Sequence, residues 1–138
     1  MKSCKFVAGA DPGKHGAVFL LPIDRDLWKG GCECFPFQKN KDGDMDPVSL
    51  YQWLSRFSDN IVAVYKENVH AIVGNSAKSM FSFGESNGIL KAVLRLVSDK
   101  SSEGFQTVEV SPAKWQKTAW RDVDIVKGQA MVDAKNKK

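Results

Sequence analysis

Apolar residues occur along this chain in short runs separated by turn-forming segments, and the period of each run predicts an element. Phe6-Val7-Ala8-Gly9-Ala10 and Gly16-Ala17-Val18-Phe19-Leu20-Leu21 read as antiparallel strands over 5–10 and 16–22. The turn between them, Asp11 to His15, has Pro12 to fix one backbone angle and Gly13 to free another. Alternation over residues 31–37 predicts a third, more exposed strand. After a polar loop, Asp46 as N-cap and Pro47 in the first turn open a helix that ends at Asp59-Asn60. Leu50, Trp53, Leu54 and Phe57 share one face of it. Ile61-Val62-Ala63-Val64-Tyr65, short and β-branched, predicts a central parallel strand. The period over residues 76–98 predicts one long helix with Phe83, Leu90, Val93, Leu94 and Val97 as its buried stripe. A fifth strand over 105–110 follows, and Ser111-Pro112 opens a last helix carrying Trp115. No repeat, low-complexity tract or linker interrupts this order, which predicts one mixed α/β domain over residues 1–138.

The totals narrow the class. At 138 residues the chain suits a single domain, and 43% apolar with 26% charged residues is ordinary for a globular protein. No apolar run approaches the roughly 18 residues that span a bilayer, and the stretch before Asp11 is too short for a secretory signal. Three cysteines, an odd number, fit a reducing compartment, so the expected location is the cytoplasm, or a host's cytoplasm for a viral protein. The formal charge of +4 is unevenly placed. Residues 1–110 carry 13 basic and 13 acidic side chains, whereas 111–138 carry seven basic against three acidic, which is the whole excess. Basic side chains beside Trp115 and Trp120 suit a phosphate backbone and an unstacked base. The same pattern also describes a solvated amphipathic helix with two core tryptophans.

Two acids stand out. Asp11 closes the first apolar run and Glu67 follows the β-branched one. An unpaired carboxylate at the end of a buried strand costs several kcal/mol, which a divalent cation would offset. Open α/β sheets place ligands at the C-terminal edge of their strands. Two carboxylates meeting there repel unless a proton or a cation bridges them. An oxygen-only donor set favours Mg²⁺ or Mn²⁺ over softer metals, and two such ions about 4 Å apart suit phosphodiester cleavage. In the alternative reading each acid caps a turn or pairs with Lys14 or Lys66.

Four ordered motifs carry a resemblance. Ala8-Gly9-Ala10-Asp11-Pro12-Gly13 with Gly16-Ala17, then Glu67-Asn68-Val69-His70-Ala71, then Ser79-Met80-Phe81-Ser82-Phe83-Gly84, then Ser111-Pro112-Ala113-Lys114-Trp115 together resemble RuvC-type Holliday junction resolvases, in particular their bacteriophage branch. The resemblance implies a ribonuclease H-like fold: a mixed five-stranded sheet flanked by helices. It implies a homodimer that resolves four-way junctions and other branched DNA by phosphodiester hydrolysis, with four acids holding two Mg²⁺ ions and Mn²⁺ as a substitute. Asp11 matches the first acid and Glu67 the second, both catalytic and metal-binding. His70 matches a loop that approaches the junction, and Lys114, Lys117 and Arg121 are the expected holders of the DNA backbone. The other two acids of such enzymes lie on a C-terminal helix. Asp122, Asp124 and Asp133 do not match that pattern, so the expectation is either a chain truncated at its C-terminus and lacking that helix, or a protein without a complete site.

Other features have weaker chemistry. Gly84 and Gly88, four apart, predict a flat helix face for a second helix or for the sheet. Phe81 and Phe83 read as core or interface, Cys4, Cys32 and Cys34 as strand residues rather than a metal cluster, and His15 as an exposed turn residue. The leading function is a metal-dependent, structure-selective endonuclease. The alternative is a catalytically silent branched-DNA-binding module of the same fold. A nucleotide-binding fold of the actin and sugar-kinase type also uses an Asp-x-Gly turn, but needs two lobes and more than twice this length.

Overall fold

The side chains of β1 (Phe6–Ala10) alternate, so Phe6, Ala8 and Ala10 are buried on one face. In the computed structural model, which describes residues 4–70 and 74–119, β1 pairs antiparallel with β2 (Ala17–Pro22), setting Ala8 opposite Leu20 and Ala10 opposite Val18. β3 (Glu33–Pro36) continues the antiparallel edge beside β2 and is largely exposed, as its alternation predicts. On the other side of β1 lies β4 (Ile61–Glu67), and beyond it β5 (Gln106–Val110), both parallel pairings. The strand order β3-β2-β1-β4-β5, with one antiparallel half and one parallel half, is the ribonuclease H-like arrangement.

β4 carries an irregularity that matters for the site. Phe6 pairs with Ile61, but Val7 pairs with Ala63, so β4 holds one extra residue there. The bulge lets both Ile61 and Val64 face the core while Val62 is exposed. It also resets the alternation, so Lys66 points inward and Glu67 to the opposite face.

The inward face is covered by α2 (Pro47–Ser55) and α3 (Ala77–Lys100). Asp46 caps α2 by accepting from the amides of Val48 and Ser49, at 3.0 and 3.3 Å, and Pro47 fills a position with no amide to satisfy. Leu50 and Leu54 from α2, with Leu90, Val93, Leu94 and Val97 from α3, close over Val18, Leu20 and Val64. An aromatic chain ties α2 to the strands: Phe35 stacks on Trp53 at 5.2 Å, and Phe57 meets Phe6 edge-on at 5.7 Å. Phe83, expected in the stripe, is only half-buried, and Phe81 is 76% exposed, so neither is core. Both lie in the first two turns of α3, N-terminal to the helix's buried stretch. Gly84 and Gly88 are exposed, and a Cβ at either would meet nothing within 4 Å, so they do not serve helix-on-sheet packing.

The opposite face is more open among the described residues. Phe19, Tyr65 and Val108 sit there at matched register, with exposures of 42%, 48% and 39%. Among the described residues, α4 (Pro112–Ala119), turning back after β5, brings side chains toward its β4–β5 end. Between β2 and β3 the chain makes a 3₁₀ turn, Arg25–Leu27, and a short helical turn, α1 (Trp28–Gly31), which the sequence pattern did not predict. Trp28 anchors this excursion by donating its indole N–H to the Pro22 carbonyl at 2.9 Å. The three cysteines are free thiols. None of the described helices is long and apolar enough to cross a membrane.

Candidate functional site

Asp11 follows β1 directly. Its amide donates to the Ala17 carbonyl at 3.0 Å, closing the β1–β2 connection, and its Oδ1 accepts from the Gly13 amide at 2.9 Å. That second bond is a side-chain turn of the kind aspartate makes readily. Gly16 is obligatory at the base of this turn, because a Cβ there would run into the Asp11 carbonyl and the Gly13 oxygen. The expectation that Asp11 is a buried, costly charge is corrected: the residue is exposed, since the strand end lies at the rim of the sheet and not within it. Its placement therefore imposes no desolvation penalty. The turn-capping reading and the ligand reading coexist, because one carboxylate oxygen serves the turn and the other has no hydrogen bond among the described residues.

Glu67 is the last residue of β4, half-buried, and pairs with Val110 of β5. Ala10 pairs with Lys66 across the parallel β1–β4 ladder, so Asp11 and Glu67 each stand one residue past that pair, at the same sheet edge. The bulge at Val62 brings Glu67 to the face away from α2 and α3. Both acids line one cleft of about 780 Å³ with Tyr65, Val108, Lys114 and Trp115. Trp115, from the first turns of α4, donates its indole N–H to Glu67 Oε1 at 3.1 Å.

Lys66, beside Glu67 in sequence, points the other way and is 1% exposed. Its ammonium donates to the Glu67 carbonyl at 3.0 Å and to Asn87 Oδ1 of α3 at 2.9 Å, and forms an ion pair with Glu109 Oε1 of β5 at 3.3 Å. A buried cation with two hydrogen bonds and an anionic partner avoids the penalty of an isolated charge. The suggestion that Lys66 neutralises the Glu67 carboxylate is corrected, since it takes only that residue's main-chain oxygen. Glu109 also meets Lys91 at 3.1 Å, and these two lysines, Lys91 first, hold its carboxyl below the usual range.

The sequence-predicted residues separate in space. Asp11, Glu67 and Lys114 share the cleft. Lys117 is exposed on α4 but does not line it, and His70 lines a different hollow with Val69, Met80 and Phe83. Arg121, Trp120, Asp122, Asp124 and Asp133 lie outside the described residues. His15 is exposed, as its turn position predicts. Sequence reasoning missed Trp115 as a partner of Glu67 and Lys66 as a buried cation. A basic residue at an inward strand position was the one available signal for Lys66.

The donor set fits a hard divalent cation. Asp11 Oδ2 and Glu67 Oε2 have no hydrogen bond among the described residues, and both carboxylates reach the same cleft. Mg²⁺ keeps several waters and is commonly held by one or two carboxylates plus substrate phosphate. Among the described residues no cluster of three or more acidic, histidine or cysteine side chains forms. Asp11 and Glu67 would each offer such an ion one carboxylate oxygen.

No protein-family model matches the chain, and no curated protein matches it. Among solved structures, the chain is similar to T. thermophilus RuvC in complex with a Holliday junction substrate. The TM-score is 0.43 and the identity 11%, over 79% of this chain and 66% of that one, just under two thirds of the latter's length. The strand order in this protein is what defines its fold as ribonuclease H-like.

Proposed function

We propose that this protein is a metal-dependent endonuclease acting on branched DNA, four-way junctions included, through a centre built on Asp11 and Glu67. The observation that carries the reading is the pairing of these two carboxylates, one residue past the Ala10–Lys66 pair, in a cleft shared with Lys114. The resemblance of the four sequence motifs to RuvC-type resolvases supplies the substrate class and the homodimer. Asp11 Oδ2 and Glu67 Oε2 would hold Mg²⁺, with Mn²⁺ as substitute; a second ion would require acids beyond this pair. When bound, such an ion makes water a competent nucleophile at neutral pH and neutralises charge building on the phosphate.

The chain's own residues have separate tasks. The Asp11 turn, braced by Gly13 and Gly16, fixes one carboxylate, and β4 fixes the other. Lys114 in the cleft pairs with a DNA phosphate, and Lys117 on the same helix extends the basic track. His70, which lines a separate hollow, is assigned to DNA contact by the motif resemblance alone. The products are a 5′-phosphate and a 3′-hydroxyl.

The test is nicking of an end-labelled four-way junction in Mg²⁺ and in Mn²⁺ by the wild-type chain and by Asp11→Asn. Nicking that falls by at least about 100-fold in the variant, with junction binding retained, is the expected result. Nicking that survives Asp11→Asn would overturn the assignment. Junction binding with no nicking by the wild-type chain would favour the second reading, a silent branched-DNA-binding module, for which the two-carboxylate set among the described residues is the specific observation.

A further inference from the structure

We propose that Trp115 is a positioning residue for the metal centre: its indole N–H orients the Glu67 carboxylate so that the remaining oxygen faces Asp11. The inference rests on the reading of Asp11 and Glu67 as metal ligands and concerns what holds one of them in place.

Glu67 is a long side chain at the free end of a strand, and three rotatable bonds separate its carboxylate from the backbone. Binding a cation through it requires fixing those bonds, which opposes binding entropically. A ligand oriented in advance avoids that loss, and groups that orient metal ligands typically change affinity by 10- to 100-fold when removed. In this protein the only hydrogen bond to the Glu67 carboxylate among the described residues comes from Trp115 Nε1, at 3.1 Å. Lys66, the nearest cation in sequence, points inward and bonds the Glu67 carbonyl, so it fixes the backbone and leaves the carboxylate to Trp115. The indole is suited to the task. It is a donor only, so it cannot compete as a ligand, and it carries no charge to repel a cation. Its bond engages Oε1 and leaves Oε2 unpaired.

Trp115 sits next to Lys114 on α4, and both side chains line the cleft with Thr118, one turn further on. Trp115 is 41% exposed, so its ring borders the cleft and is not part of the buried core.

The test replaces the N–H without changing the shape. Trp115 is substituted by 3-benzothienylalanine, which has sulfur in place of the indole nitrogen, and in parallel by Trp115→Phe. Mn²⁺ affinity of the DNA-free protein is measured by electron paramagnetic resonance, and the melting temperature is taken for each. The expected result is a dissociation constant about tenfold weaker in the benzothienyl protein, with an unchanged melting temperature. An affinity equal to or tighter than wild type in that protein would overturn the inference, whatever Trp115→Phe does to folding. If the wild-type chain binds no Mn²⁺ at all, the failure belongs to the metal-centre reading, and the proposal about Trp115 falls with it.

Discussion

Asp11 and Glu67 are acidic residues whose positions were visible from apolar runs alone, yet the reason for their placement is different from the one the runs suggest. A carboxylate closing a buried strand looks like a buried charge, but Asp11 is exposed and already has one oxygen committed to Gly13. Substituting it should therefore cost little stability. Asp11→Asn keeps an oxygen acceptor for the Gly13 amide, and its melting temperature is expected within about 3 °C of wild type, as for surface changes within about 0.5 kcal/mol. A large drop, measured by calorimetry, would show that the charge is structural. Glu109 behaves in the opposite way. Lys91, then Lys66, depress its carboxyl, so the folded state favours its ionised form. The resulting stabilisation is complete above the ordinary glutamate value of about 4.5 and fades as pH falls below it toward the lowered folded value. Protonation of Glu109 also leaves buried Lys66 without its anionic partner. Thermal melts from pH 6 to pH 3 should thus show a steeper acid loss in wild type than in Glu109→Gln, which starts less stable at neutral pH. Parallel curves for the two proteins would refute this.

At the level of elements, the Asp11 turn and the β4 bulge set the site. Gly16→Ala places a Cβ against the Asp11 carbonyl and the Gly13 oxygen, so the turn must open, and Asp11 moves with it. The expected outcome is a loss of Mn²⁺ affinity of about tenfold or more, read by titration, alongside a lower melting temperature. Retained affinity would mean that the turn does not fix the ligand. Leu90→Ala, in the buried stripe of α3, should cost about 2–5 kcal/mol in urea denaturation without altering the identity of the site. These elements differ in how legible they were. The five strands and three longer helices follow from runs, periods and caps such as Asp46-Pro47, because each depends on a local signal. The bulge does not, because Ile61-Val62-Ala63-Val64-Tyr65 reads the same with or without a register shift, and only pairing against β1 decides it. The excursion at 25–31 likewise depends on Trp28 reaching the Pro22 carbonyl. The Trp115–Glu67 bond joins positions 48 apart, beyond any periodicity.

Across the whole molecule, charge and sheet edge converge. The sheet places both acids at one rim, and the chain's excess positive charge begins where α4 passes that rim with Lys114 and Lys117. Junction binding is expected to weaken steeply with salt, and Lys114→Ala and Lys117→Ala should each reduce the log–log slope by about one. A salt-independent affinity would be incompatible with a phosphate-led interface. The most direct test of the account is whether Asp11 and Glu67 jointly hold one cation. Mn²⁺ would be titrated into the wild-type chain, Asp11→Asn and Glu67→Gln, with free Mn²⁺ followed by electron paramagnetic resonance. The wild type is expected to bind Mn²⁺ at a site that weakens at least about tenfold in each variant separately. Wild-type affinity persisting in both variants would contradict it.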